Sequence, residues 1–284
     1  MPEPTSVGQA LAQARALGVD RLDAHLLLAH VLGCTRAWLI AHQEADLSAE
    51  RWAAFASLIS RRATGEPLAY LVGAQEFRSL RLRVSPDVLI PRPDTETLVE
   101  WALELLPERE SPTIADLGTG SGAIALALKH ARPHARVHGS DFSAAALTMA
   151  RATGHRLGLA VSWHLGDWWQ AIAPSRVPHF ELVVANPPYI APGDHHLAGL
   201  RHEPQSALVP RDDDGAGLAD MRRIVEGAQR QLRAGGWLLL EHGFDQAAAV
   251  RDLLRAACFE AVASRADLGG NARVTGGRKG MPDH

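Results

Sequence analysis

Cysteine is almost missing from the 284 residues. The two present, Cys34 and Cys258, stand far apart in Ala/Leu-rich surroundings, which excludes a disulfide framework and a thiolate metal site and points to a reducing compartment. Both are read as buried small hydrophobes. An excess of positive charge is missing too: 29 Lys and Arg stand against 32 Asp and Glu, a formal net charge of -3. No global field therefore gathers a polyanion such as duplex DNA, and only a local basic patch is left open. No uninterrupted apolar run reaches the ~18 residues that a membrane span needs. Met1 to Gly8 lacks the basic and apolar regions of a secretory leader, so a cytoplasmic location away from membranes is expected. There is no internal repeat and no low-complexity tract. What is present, 46% hydrophobic and 21% charged residues, is a soluble globular mixture that excludes disordered and fibrous classes.

The pattern changes along the chain. Residues 1–75 read as helices only: Asp20 is placed to cap a helix carrying Leu22, Leu26, Leu27 and Val31, and Ser48 one carrying Trp52, Phe55, Leu58 and Ile59. Residues 76–93 read as a hairpin and hinge linker, with Leu80, Leu82 and Val84 at a period of two and Pro86, Pro91 and Pro93 stiffening its second half. From Asp94 to the end, residues 94–284, strands and helices alternate, the pattern of a mainly parallel sheet covered on both faces. Its strands are expected at Thr113 to Leu117, Arg136 to Ser140, Val161 to Leu165, Phe180 to Ala185, Trp237 to Glu241, Phe259 to Ala263 and Ala272 to Thr275. The stretch from Ile190 to Gly217 shows no clear element, and loops of that length are usually functional.

Gly118, Thr119, Gly120, Ser121 and Gly122 lie between a strand and a helix, where missing side chains let backbone N–H groups and the helix N-terminus approach a ligand. The spacing also satisfies the dinucleotide fingerprint, and Asp141, closing the next strand, suits ribose hydroxyls in either cofactor class. Asp116 favours one of them. It would oppose a pyrophosphate, but it suits the ammonium of a methionine moiety, directly or through water. Trp168 is placed to cover an adenine, although a core or surface packing role is an equal expectation for Trp168 or Trp169 taken singly.

Asn186-Pro187-Pro188-Tyr189 follows the apolar strand Leu182 to Ala185. An amide nitrogen is a weak nucleophile because its lone pair is delocalised, so its N–H groups must be held and its remaining density aimed. The Asn186 side-chain oxygen and the Pro187 carbonyl can accept those N–H groups, while the prolines stiffen the turn and Tyr189 offers a ring face to a planar group. His195-His196 shows no third ligand at metal spacing and Asp212-Asp213-Asp214 reads as a solvated loop, so no metal site is expected.

The run Asp116-Leu117-Gly118-Thr119-Gly120-Ser121-Gly122 resembles the first motif of the S-adenosyl-L-methionine-dependent methyltransferases. That likeness implies a Rossmann-like α/β fold of seven strands, the last antiparallel. The tetrapeptide alone is shared by adenine, RNA-base and glutamine-amide methyltransferases, so a DNA or RNA amino-methyltransferase remains the alternative, with a binding module without turnover as a third reading. Four further segments decide: Glu76-Phe77, Leu89 to Glu96, Glu203-Pro204 with Ala207-Leu208, and Asp267 to Val274. With the helical N-terminal domain they resemble the HemK/PrmC family over nearly the whole chain. The resemblance implies N5 methylation of the glutamine in the Gly-Gly-Gln motif of class I peptide chain release factors. A monomer that binds no nucleic acid directly is expected, with the N-terminal helices docking the release factor, because one glutamine side chain offers too little surface for selection. It carries cofactor contacts onto Gly118 to Gly122, Asp141, Trp168 and Asn186, and glutamine contacts onto Asn186, Pro187, Pro188 and Tyr189. Arg78 and Gln205-Ser206 depart from the family pattern and bear on partner fit.

Overall fold

The computed structural model describes residues 4–106, 110–172, 179–212 and 215–281, and the chain divides into two units, Met1–Ala74 and Gln75–His284. The first unit is helical: α1 (Val7–Ala16), α2 (Arg21–Leu32), α3 (Arg36–Ala41), α4 (Ala49–Ala63) and α5 (Leu68–Val72). Side chains just outside four of these helices satisfy first-turn N–H groups. Asp20 accepts from Leu22 N–H at 2.7 Å, and Ser48 accepts from Arg51 N–H at 3.3 Å. Val7, Leu27, Leu28, Leu39, Phe55 and Ile59 form the core, and Arg62 on α4 pairs with Asp23 on α2 at 2.7 Å. Leu22, expected on the apolar face, is instead exposed; α2 buries Ala24, Leu27 and Leu28, one helical face further round.

The second unit opens with the hairpin β1 (Ala74–Phe77) and β2 (Leu80–Arg83), turned by Arg78 and Ser79, both at positive φ. Phe77, Leu80 and Leu82 are buried in one cluster with Leu98 and Leu126, so the segment read as a linker contributes to the core of this unit. Then come α6 (Glu96–Leu105), β3 (Thr113–Leu117), α7 (Ala123–Ala131), β4 (Arg136–Asp141), α8 (Ala144–Leu157), β5 (Ser162–Leu165), α9 (Trp168–Ala171), β6 (Phe180–Ala185), α10 (Ala219–Gln231), β7 (Leu232–Glu241), α11 (Ala247–Ala256), β8 (Phe259–Ala266) and β9 (Ala272–Lys279).

These strands form a seven-stranded sheet in the order β5-β4-β3-β6-β7-β9-β8. It is parallel except at β9, which runs antiparallel to both neighbours. Alternate residues face opposite sides, as strand geometry requires. Leu182 and Val184 of β6 pack with α6 and α7, whereas Val183 and Ala185 pack with α10 and α11. The strand order reverses between β3 and β6, so their carboxyl ends border a crevice that neighbouring connections, leaving to opposite faces, do not fill. Register places Leu117 beside Ala185, and Ala185 beside Leu240. Gly118, Asn186 and Glu241 therefore leave three adjacent strands at one edge of the sheet. Cys258 is exposed and Cys34 half-buried, against the expectation of two buried thiols; both are free. Among the described residues, no helix is long and apolar enough to cross a membrane.

Candidate active site

An open cavity of about 1020 Å³, counting the space continuous with solvent, lies above the switch point. Its wall includes Gly118, Thr119, Gly120, Ser121, Asp141, Trp168, Asn186 and Pro188, which come from four different strand ends. Gly118 and Gly120 have φ of +70° and +54°, a conformation that side chains resist. At Gly118 a Cβ would stand 3.0 Å from the Trp168 ring, which lies over the turn. Trp168 itself has a positive φ of 39°, and its indole N–H donates to Asp220 at 3.1 Å. Trp169 turns the other way, donating to the Ile224 carbonyl at 2.9 Å and packing on Gly227. Of the two tryptophans, Trp168 is the one at the cavity.

Asp141 is buried at the end of β4, where its two carboxylate oxygens accept from Gly120 N–H and Ser143 N–H, each at 2.8 Å. Burial pushes its pKa above the usual carboxylate range, and those N–H groups partly offset the shift. Asp116 stands behind the turn and outside the cavity wall. One of its oxygens accepts from the Thr119 hydroxyl at 2.6 Å and from Ala125 N–H at 3.1 Å, bracing the glycine turn against α7. Its other oxygen has no partner among the described residues, and burial pushes its pKa up to about 7. Gly122 also lies outside the wall; a Cβ there would meet Ala150, Leu126 and Trp163, so its role is close packing of the helix on the sheet.

The tetrapeptide divides in the same way. Asn186 and Pro188 border the cavity, Pro187 is buried, and Tyr189 is half-buried against the cluster under α10. Burial and the Glu241 carboxylate push the Tyr189 hydroxyl up to about 12, so it stays protonated. Arg92 and Thr95, from the segment before α6, reach the same cavity, and Glu203 ties that segment to the long loop by accepting from Ile90 N–H at 3.0 Å and pairing with Arg92.

Residues 6–73 match the family described as PrmC N-terminal domain, and residues 95–202 that described as methyltransferase small domain. The release factor glutamine methyltransferase of Bordetella pertussis is 48% identical over 92% of this chain and 95% of its own length. That of Escherichia coli K12 is 43% identical over 95% of this chain and 96% of its own. The chain belongs to the release factor glutamine methyltransferase family. A solved methyltransferase from Pyrococcus furiosus, 15% identical, shares the fold with a TM-score of 0.55 over 78% of this chain and 98% of that one.

In this member of the release factor glutamine methyltransferase family, Arg78 turns back onto α6 and pairs with Glu100 at 3.2 Å, while Ser206 borders the cavity. His195-His196 does acquire a third ligand-type neighbour, contrary to the reading of the sequence. Asp194, His195 and His196 bring their ligand atoms within 4.8 Å of one another, with both imidazoles exposed. Asp212 pairs with Arg223 at 3.0 Å, and Asp213 and Asp214 lie outside the described residues.

Several contributors carried no local signal. Arg211 lays its guanidinium 4.1 Å from the centre of the Phe142 ring, closing one side of the cavity. Gly217 has φ of +70°, and a Cβ there would fall 2.1 Å from the Tyr189 carbonyl oxygen. That oxygen accepts from the Gln246 amide at 3.0 Å, which also donates to the Ala216 carbonyl at 3.0 Å. Gly217→Ala is therefore expected to displace the Tyr189 turn, lower stability by about 1 to 3 kcal/mol and slow catalysis while cofactor affinity holds. Thermal melts with single-turnover rates check it; a variant as stable and as fast as wild type would show that the turn tolerates the displacement.

Proposed function

We propose that the chain is a protein-(glutamine-N5) methyltransferase that moves the methyl group of S-adenosyl-L-methionine to the side-chain amide nitrogen of the glutamine in the Gly-Gly-Gln motif of class I peptide chain release factors. The observation that carries this reading is the adjacency of Gly118 and Asn186 at the reversal of strand order, since it brings a side-chain-free turn and an amide-holding turn to one cavity. The residues present fit the cofactor. Gly118 and Gly120 form a cradle that Cβ atoms would obstruct, Asp141 offers acceptors to ribose hydroxyls, and Trp168 and Phe142 supply flat apolar walls. Asp116, accepting from the Thr119 hydroxyl and Ala125 N–H behind the turn, holds that cradle in shape.

Bound there, the cofactor supplies a methyl group on a sulfonium. What the chain supplies is position. The Asn186 side-chain oxygen and the Pro187 carbonyl accept the two N–H groups of the substrate amide, fixing its nitrogen and stabilising the positive charge that develops on it. Pro188 forms part of the wall, and Tyr189, anchored through its carbonyl to Gln246, holds the turn in place. No strong base is needed first, because the alkylated nitrogen sheds its proton readily once charged. A neutral Tyr189 is consistent with that.

Incubation with labelled cofactor and, separately, release factor, DNA and RNA tests the reading: label is expected in the release factor alone, and label in a nucleic acid would replace this reading with an amino-methyltransferase of bases. The helices of residues 1–74 serve as the docking unit, because one glutamine side chain offers too little surface for selection. A chain beginning at Gln75 keeps Phe77, Leu80 and Leu82 in its core, which a cut at Asp94 would strip away. It is expected to bind cofactor as the whole chain does and to lose at least about tenfold in kcat/KM on intact release factor, equivalent to ~1.4 kcal/mol of docking energy. Equal kcat/KM would place docking elsewhere.

A further inference from the structure

An asparagine that must accept N–H groups has an orientation problem. Rotated by half a turn, its NH2 faces the substrate amide, two donors meet, and the nucleophile is expelled. Something must therefore take the Asn186 NH2 group and leave its oxygen free. Register places Glu241, the last residue of β7, next to Asn186. Glu241 is 1% exposed, an acid closing a strand whose Leu238, Leu239 and Leu240 are wholly buried. The Asn186 amide donates to the Thr95 hydroxyl at 3.4 Å, and both side chains lie close enough to the Glu241 carboxylate to pull its pKa down. One oxygen of that carboxylate has no hydrogen-bond partner among the described residues and is left free to accept.

We propose that Glu241 is a positioning residue: with the Thr95 hydroxyl as relay, its carboxylate takes the N–H donors of Asn186 and commits the Asn186 oxygen to the substrate amide. The inference rests on the release-factor reading of the site. As an anion, Glu241 can only accept, so the Thr95 hydrogen points to it and the Thr95 oxygen is left to receive Asn186. Protonated, Glu241 becomes a donor that can capture the Asn186 oxygen, and the selection is lost. Three further charged or titratable groups face Glu241: Arg273 from β9, Asp94 from the turn before α6, and Tyr189 from the loop after β6. Burial is the dominant influence and pushes Glu241 up to about 7, with Thr95, Arg273 and Asn186 pulling against it. The active form is thus gained as pH rises through that value.

The test is single-turnover methylation of a release factor by the full chain, with saturating cofactor, from about pH 6 to about pH 8.5. Glu241→Gln is close to isosteric and is expected to lower kcat by up to about 100-fold, the scale of a small misplacement of reacting groups. The KM for release factor and the affinity for cofactor should stay within about twofold, since uniform binding is untouched. The wild-type rate should climb through about pH 7, and that step should vanish in Glu241→Gln. Asp116 is also pushed up to about 7, so a step that persists in Glu241→Gln would assign it to Asp116 and overturn the proposal. Thr95→Val should slow transfer more than Thr95→Ser, which keeps the hydroxyl; equal effects would overturn the relay. Wild-type rate and pH profile in Glu241→Gln would overturn the role of Glu241 and leave the enzyme's function standing. Absence of transfer by the wild type would instead overturn the functional reading beneath it.

Discussion

Replacing Asn186 by alanine is expected to slow methyl transfer about 10²- to 10³-fold, the usual cost of removing one oriented polar group aimed at developing charge. The argument is geometric. Asn186 lies one residue beyond β6, at the cavity and outside both hydrophobic clusters, so truncation leaves the sheet intact. What is lost is the acceptor for a substrate N–H, together with the donor that engages Thr95 beside Glu241. Cofactor affinity should fall by a smaller factor, because Gly118, Gly120, Asp141 and Trp168 remain in place. Tyr189→Phe should be mild by comparison, since the hydroxyl is held protonated and only the backbone carbonyl of that residue is anchored to Gln246. Single-turnover rates at saturating cofactor and release factor decide the matter: a folded Asn186→Ala enzyme working at wild-type speed would falsify the positioning mechanism and leave the fold assignment untouched.

Asp141→Ala carries the second large effect. Loss of charge-assisted bonds to two ribose hydroxyls is worth about 1.5 to 3 kcal/mol, or roughly 10- to 150-fold in Kd at ~1.4 kcal/mol per decade. The structure adds a second route to the same loss. Asp141 also accepts from Gly120 N–H, so its removal frees the turn that forms the cofactor cradle. The full-length variant should melt close to the wild-type temperature without cofactor, because removing a buried carboxylate with a raised pKa also removes its desolvation cost. Titration calorimetry reads the result directly, and unchanged affinity in a folded variant would take Asp141 out of the site.

The parts of this molecule legible from sequence are those whose signal is local. A strand, a glycine turn and a helix in succession read as a phosphate- or cofactor-type loop, and Asp141 closing the next strand reads as its partner. Asn186 to Tyr189 after an apolar strand is equally self-contained. Asp116 is ambiguous from local sequence, since a carboxylate just before the turn can face a ligand or brace the turn, and only its bonds to Thr119 and Ala125 reveal the bracing. Thr95, Glu241, Gly217 and Arg211 act through contacts between distant stretches of chain, with no periodicity to announce them. One of them did leave a trace. An acid at the end of Leu238-Leu239-Leu240 is an expensive residue to bury, and a lone carboxylate closing a fully apolar strand marks a site worth inspecting. Prolines and glycines around β1 and β2 give this hairpin the sequence character of a hinge, but burial of Phe77, Leu80 and Leu82 makes it part of the packed unit.

The central claim concerns one nitrogen on one glutamine, and mass spectrometry of a class I release factor isolated from cells lacking this protein tests it most directly. The account predicts a Gly-Gly-Gln peptide without the added methyl group, with methylation on the glutamine side chain restored by the wild-type chain and not by Asn186→Ala. A release factor that remains methylated on that glutamine without the protein, or a restored methyl group found on a different residue, would contradict it.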